Sequence, residues 1–467
     1  MKEKESYFIH IIFNELKKST CISLPLIASQ LIYAASGIIS AIMIAHLGKD
    51  ELATNVIVWG IYIALISISF GILSSISVFV SQAYGANDRK KITQCFVQGF
   101  FIAIVLAAPM SFLIYSAQTI LFYTGQESVI INLSIPYFHS LAWCMLPLNL
   151  LFVMEQFLIG LTNTRLILFL SVFRVPLEIF LFYVLFFGKL GLPTLGLVGI
   201  GYGMTISIIF TVIILGMYIH MSKKCRIYKV FSNLKQLSLK YCFDFIKVGL
   251  PLGIMYCMEM ALFAVVALMI GKFGKDALAA HQIAYQYLVF AVAIIFGISQ
   301  ATTVRVGYET GRNNKKALKL AGYVNMGIGF CIMLILLAIY ITFASPIISL
   351  SVNVHDMKNQ NLVNYSISFL TLAGILQLID NFRLIITGIL RGLKDTKITM
   401  YITLGTFWLI ALPFSYLFAF ILKKQATGIW WGLIFGFAIT AILLFMRFEK
   451  FCNKVDLTSL IIKKNIE

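Results

Sequence analysis

Six ionisable residues stand inside long apolar runs of this chain: Glu155, Arg174, Glu178, Glu259, Asp380 and Arg383. A charge at the centre of a bilayer costs from about 3 to more than 10 kcal/mol, so each one asks for a partner or a task. Glu259 has Met255, Tyr256, Cys257, Met258, Met260 and Ala261 around it, and no basic residue within one helical turn. An acid placed this way binds a proton or a small cation with a large energetic consequence, which is the chemistry of an ion-coupling site. The structural alternative is a protonated acid hydrogen-bonded to a neighbouring helix. Asp380 has Arg383 three residues on, a spacing that permits pairing. Such a pair either pins its helix or breaks and re-forms as a switch. If the runs carrying Glu259 and Asp380 share a bundle, the two acids could share one cation, H⁺ or, as a metal, Na⁺. Asn381, Gln282, Tyr33 and Ser40 are the further polar candidates for a substrate cleft. Arg174 and Glu178 straddle Pro176 four residues apart and can satisfy each other; Glu155, near the end of its run, reads as structural.

The elements that must place these residues follow from composition. Of 467 residues, 60% are hydrophobic and 12% charged, with a mean hydropathy of +0.92. A soluble core of this length could not hide so much apolar surface. The expected fold class is an all-α polytopic membrane protein, because the apolar runs reach the 20 or so residues that cross a bilayer; a β-barrel would show short alternating segments. Twelve transmembrane helices are expected, roughly at 22–45, 54–83, 95–117, 134–158, 166–187, 196–220, 245–270, 280–304, 320–344, 362–390, 399–421 and 429–446. The net charge of +18 gathers in alternate loops, at Arg89–Lys91, 223–247, Arg312–Lys319 and Arg391–Lys397. This is the positive-inside pattern. It places both termini in the cytoplasm of a plasma membrane, read as a bacterial inner membrane. It also makes membrane lipid, and not nucleic acid, the partner of the basic residues.

The first twenty or so residues set Ile9, Ile12, Phe13 and Leu16 against Lys17 and Lys18. They lack the apolar core and cleavage site of a signal peptide and read as an interfacial leader. Eight cysteines without a C-x-x-C pair imply neither zinc nor a disulfide framework. Gly199, Gly201 and Gly203 look like a nucleotide loop, but they fall in an apolar span, where helix packing explains them better. No H-x-x-x-H, Walker or Ser/His/Asp grouping occurs, so neither an enzyme nor a cofactor is expected. His281 reads as a helix-end residue.

The chain also repeats itself. Ala41–Ala53 recurs as Ala267–Ala279, and the same offset of 226 relates Leu24–Leu26 to Leu250–Leu252, Gly71 to Gly297, Gly85 to Gly311 and Lys90 to Lys316. Gly160–Arg165 resembles Gly392–Lys397 at an offset of 232. Residues 1–220 are read as one six-helix bundle and 245–467 as the other. Residues 221–244 form an amphipathic cytoplasmic linker (Val230, Phe231, Leu234, Leu237 and Leu239 among Lys229, Lys235 and Lys240). An even number of crossings gives both halves one orientation, with a pseudo-twofold axis along the membrane normal and a cleft expected between them. Aromatic residues, where they line such a cleft, suit flat organic cations. The halves differ at the chemistry, since Tyr33 occupies the position that matches Glu259.

Several stretches resemble the multidrug and toxic compound extrusion (MATE) family, in its NorM-like branch, over essentially the whole chain. They are Glu259–Ile270, Leu278–Ile283, Thr303–Gly307 with Gly311, and Asp380 followed by Gly388–Asp395. The resemblance implies an antiporter expelling cationic or amphipathic compounds against inward H⁺ or Na⁺. It also implies that Glu259 and Asp380 match the family's cation-binding acids. Two departures stand out: Ser40 replaces an aspartate common in the first span, and Arg174 and Glu178 replace two asparagines flanking Pro176-Leu177. The first-half polar constellation is thus replaced, and coupling is expected in the second half. A bolder alternative has Glu178 take over, with Arg174 as its counter-ion. The expected function is export of organic cations or toxic compounds by a monomeric, alternating-access antiporter. The rivals are a lipid-linked oligosaccharide flippase, which needs a basic cleft, and a membrane-embedded lipid-modifying enzyme.

Overall fold

A backbone crossing hydrocarbon must satisfy its own hydrogen bonds, and a helix does so within one segment. In the computed structural model all regular structure among the described residues is helical. The described residues are all except 1, 46, 47, 124, 234–236, 355, 455, 456 and 458–467. The first half holds α1 (Lys2–Ala45), α2 (Lys49–Gly85), α3 (Arg89–Tyr115), the short α4 (Gln118–Tyr123), α5 (Ser128–Ala142), α6 (Met145–Gly160), α7 (Thr164–Phe187) and α8 (Leu197–Met221). A turn of helix, α9 (Lys223–Arg226), leads to α10 (Leu239–Gly271), α11 (Lys275–Gly311), α12 (Lys315–Thr342), the short α13 (Ala344–Ser349) and α14 (Gln360–Gly392). The chain closes with α15 (Thr396–Thr406), α16 (Leu412–Tyr416) and α17 (Gln425–Lys454). Eleven described helices are long and apolar enough to cross a membrane, and the bent pair α5–α6 brings the number to twelve.

The duplication is written into the elements. α2 and α11 are both 37 residues long and are related residue for residue by the 226 offset. Each is followed by a left-handed asparagine, Asn87 (φ 55°) and Asn313 (φ 56°). Each next helix is then capped by a side chain, Asp88 accepting from Lys91 N and Asn314 from Ala317 N, both at 3.1 Å. An oxygen at the N-cap meets a backbone donor that has no partner in the first turn.

Two compact units result, Ala28–Cys257 and Met1–Ile27 with Met258–Glu467. Within the first, Gly249 and Gly253 of α10 meet the backbone of α2 around Gly71 and Ile72 so closely that a β-carbon would not fit. Within the second, Gly388 and Gly392 of α14, four residues apart, lie against Ser299 and Thr303 of α11. The two hydroxyls donate to Leu384 O at 2.7 Å and Gly388 O at 2.9 Å. Small residues at this spacing bring helix backbones together in a membrane, where apolar burial does not drive association.

Several expectations are corrected. The span expected at 134–158 is two helices meeting at 45°. Pro147 falls in the first turn of α6, where no N–H is required, and Ser111 Oγ takes up the Ala142 carbonyl at the break at 2.9 Å. The span expected at 399–421 is not uniform α-helix: Phe407–Ala411 and Leu417–Ile421 are π-helical turns on either side of Pro413. The leader runs into the first span as one helix, α1, and its Glu15 is buried and bound by Arg305, with Nε to Oε1 at 2.8 Å and Nη2 to Oε2 at 2.7 Å. The linker's described residues hold the short helix α9 and a 3-10 turn, Val230–Asn233. The linker is pinned to α3 by Thr93 Oγ1 donating to Tyr228 O at 2.6 Å and by Gln98 Oε1 accepting from Ser238 N at 3.2 Å; Leu234 and Lys235 lie outside the described residues. His281 is buried beside Trp430, within α11 and not at its end.

Candidate functional site

Asp380 and Arg383 lie one turn apart on α14, so both side chains leave the same face of the helix. α10 brings Glu259 to that face. Arg383, wholly buried, donates from Nη2 to Glu259 Oε1 at 2.6 Å and from Nη1 to Glu259 Oε2 at 3.2 Å. It also donates from Nη2 to Asp380 Oδ2 at 3.2 Å and from Nε to Asp380 Oδ1. All four carboxylate oxygens therefore face one guanidinium, whose planar donor fork suits this two-sided grip. Phe407 and Phe437 pack beside it, at 5.2 Å and 5.1 Å from guanidinium to ring centre. Those rings stack on each other at 4.6 Å. Phe437 comes from α17, and Phe407 from the π-helical turn that precedes Pro413.

Glu259 is thus not the isolated acid its own helix suggests. Its counter-ion comes from a residue 124 positions away in sequence. Two carboxylates against one guanidinium leave one negative charge over when both acids are ionised. That residual charge can be met by one proton or one small cation, a large energetic event in a buried site.

The remaining candidates are dispersed. Asn381 is buried, but its amide donates to Met326 O on α12 at 3.4 Å and packs against Gly329, so it fastens α14 to α12. Gln282 is exposed on α11. In the other unit Arg174 and Glu178 are paired at 3.3 Å, and the pair is not self-contained. Glu178 accepts from Ser36 Oγ at 3.3 Å and Ser207 Oγ at 3.4 Å. Arg174 lies 5.2 Å over the ring of Tyr33, whose hydroxyl donates to Glu155 at 3.3 Å. Glu155 therefore belongs to this cluster. The α1 serine that reaches the cluster is Ser36, one turn before the half-buried Ser40. Tyr33, Ser36 and Ser40 form a polar stripe at i, i+3 and i+7, a signal that could have brought Ser36 forward. Phe407, Phe437 and Ser207 carry no such signal, being common residue types in apolar helices.

A polytopic helical protein built from two repeated halves, each with charged side chains grouped inside it, is of the transporter class. Residues 25–184 and 251–417 match the MatE family, in two segments whose starts differ by the repeat offset. A probable multidrug resistance protein NorM of Burkholderia mallei is 31% identical over 428 residues, 91% of each chain. Its counterpart in Synechocystis is 28% identical over 436 residues, 93% of this chain and 95% of the relative. Among solved structures, a multidrug resistance MATE family transporter in an outward-facing conformation has the same fold, with a TM-score of 0.85 at 19% identity over 95% of this chain and 97% of its own. The chain belongs to the MATE family of multidrug efflux transporters and is not an enzyme.

Proposed function

We propose that this protein is a cation-coupled antiporter that expels organic cations and amphipathic toxic compounds from the cytoplasm by alternating access, with Glu259 and Asp380 as the coupling acids. The observation that carries this is the buried group of two acids and one arginine, contributed by two helices and left with one unbalanced negative charge. A cation arriving at the acids, H⁺ or Na⁺, weakens the hold of at least one carboxylate on Arg383 and so alters the bonding between α10 and α14. For exchange, ion and drug must favour different states of the protein, since a ligand shifts an equilibrium only by its differential affinity. The relatives' name, multidrug resistance protein NorM, supports the substrate class. The distribution of Lys and Arg supports an inner-membrane protein with both termini cytoplasmic.

The flippase reading needs a basic surface to meet a diphosphate. Arg383 is held by two carboxylates and Arg174 is paired with Glu178, which favours the antiporter. Dye efflux from proteoliposomes under separate pH and Na⁺ gradients is the test. Efflux under one gradient, lost in Glu259→Gln and Asp380→Asn, is expected. No transport under either gradient would overturn the reading.

A further inference from the structure

The identity of the coupling ion can be argued from Arg383. A hard metal cation such as Na⁺ is bound by several oxygen ligands converging on it. Within the group formed by Glu259 and Asp380, all four carboxylate oxygens already face N–H donors of Arg383. A guanidinium stays charged in proteins, so a metal ion would enter against a fixed positive charge. Nor is the guanidinium free to step aside: it has no exposed surface and is packed beside the stacked pair of Phe407 and Phe437. Resting on the reading of these acids as the coupling site, we infer that Arg383 takes the place of a metal ion and makes the site selective for a proton over Na⁺.

The charge balance agrees. Two carboxylates and one guanidinium carry one net negative charge. One proton on a carboxylate oxygen removes it without displacing the arginine, whereas Na⁺ needs several oxygens converging on it, and those of both acids are turned toward the arginine. A further ionisable group within electrostatic reach of Glu259 is Tyr285 of α11. α17 and the π-helical turn after α15 contribute Phe437 and Phe407 to this contact, and α12 meets this stretch of α14 through Asn381. Arg383 is therefore a specificity-determining residue, and its removal should create the metal site it excludes.

The test is equilibrium binding of radioactive Na⁺ alone to the purified full-length protein in detergent, with no drug present. The wild type is expected to show no saturable binding. Arg383→Gln, which frees the carboxylate oxygens, is expected to gain saturable Na⁺ binding that a second substitution, Glu259→Gln, abolishes. Saturable binding by the wild type that Glu259→Gln removes would overturn the inference, and that measurement needs no Arg383 variant to fold. An Arg383→Gln protein that melts cooperatively yet binds no Na⁺ would overturn it as well. In proteoliposomes, a pH gradient should drive wild-type efflux and a Na⁺ gradient at matched pH should not; the reverse result sinks the inference while leaving the antiporter reading intact. Efflux absent under every gradient bears on the antiporter reading alone, because Na⁺ binding is read without transport.

Discussion

Glu259, Asp380 and Arg383 form a buried group with more negative than positive charge, and this predicts how each substitution behaves. Glu259→Gln leaves Arg383 and Asp380 as a balanced pair, so the protein should fold and lose ion-driven efflux. Arg383→Gln leaves two buried carboxylates with no cation. Breaking a buried pair from one side costs on the order of 3–5 kcal/mol, so this variant should melt well below Glu259→Gln in the same detergent. In the other unit, Glu178 accepts from Ser36 and Ser207 and pairs with Arg174. Glu178→Gln is expected to retain coupled efflux and to lose roughly 1–3 kcal/mol of stability through strained or unmet hydrogen bonds. Loss of efflux as complete as in Glu259→Gln would show instead that the first half shares the coupling. These acids are legible in the sequence because a charge in an apolar run is conspicuous. Their partners are not: Glu259 finds its counter-ion on another helix, and no local spacing announces that.

The helices set how closely those residues can meet. Gly388 lies on α14 where a β-carbon would fall 2.6 Å from Ser299 O, a backbone atom that cannot swing aside. Gly388→Val should push α14 off α11, with an overpacking cost of about 1–3 kcal/mol, read as a lower melting temperature and a smaller folded yield. The linker offers a second check. Cys225 is buried, and burial pushes its thiol up to about 11, against the opposing influence of Lys224. The reactive thiolate is therefore scarce at pH 7–8 and grows only as pH approaches that value. Maleimide labelling of the Cys225 peptide, followed by mass spectrometry, should be slow in the native protein and fast after denaturation. Equal rates would show that the linker does not enclose it. The spans expected at 95–117 and 320–344 begin inside α3 and α12, because an apolar run does not register the polar first turns that follow the caps Asp88 and Asn314. The bend after Ala142 and the π-helical turns around Pro413 were not legible either. A proline shows where a helix is disturbed, and the neighbouring helices decide which disturbance results.

At the scale of the whole molecule, the repeat makes two bundles of one plan and the charges make them unequal. The buried contact of Arg305 with Glu15 and Glu309 has no charged counterpart at the matching positions Phe79, Tyr241 and Ala83; there Phe79 instead stacks on Phe245 at 4.3 Å. The Lys and Arg distribution predicts that reporters fused to either terminus report a cytoplasmic location, one active only outside the membrane staying silent at both. An active external reporter at either end would overturn that orientation.

By itself the sequence determined that the chain is helical, that it crosses the membrane about twelve times in two related halves, and which acids stand inside apolar runs. These follow from apolar run length, an even-numbered repeat and the cost of an intramembrane charge, all of which are local or periodic. Tertiary structure alone decided that Arg383 reaches Glu259, that two phenylalanines pack beside it, and that Glu155 belongs with Arg174 and Tyr33. Such contacts join residues far apart in the chain. Only the approach of one helix to another, set by small residues such as Gly388 and Gly392, brings them within bonding distance.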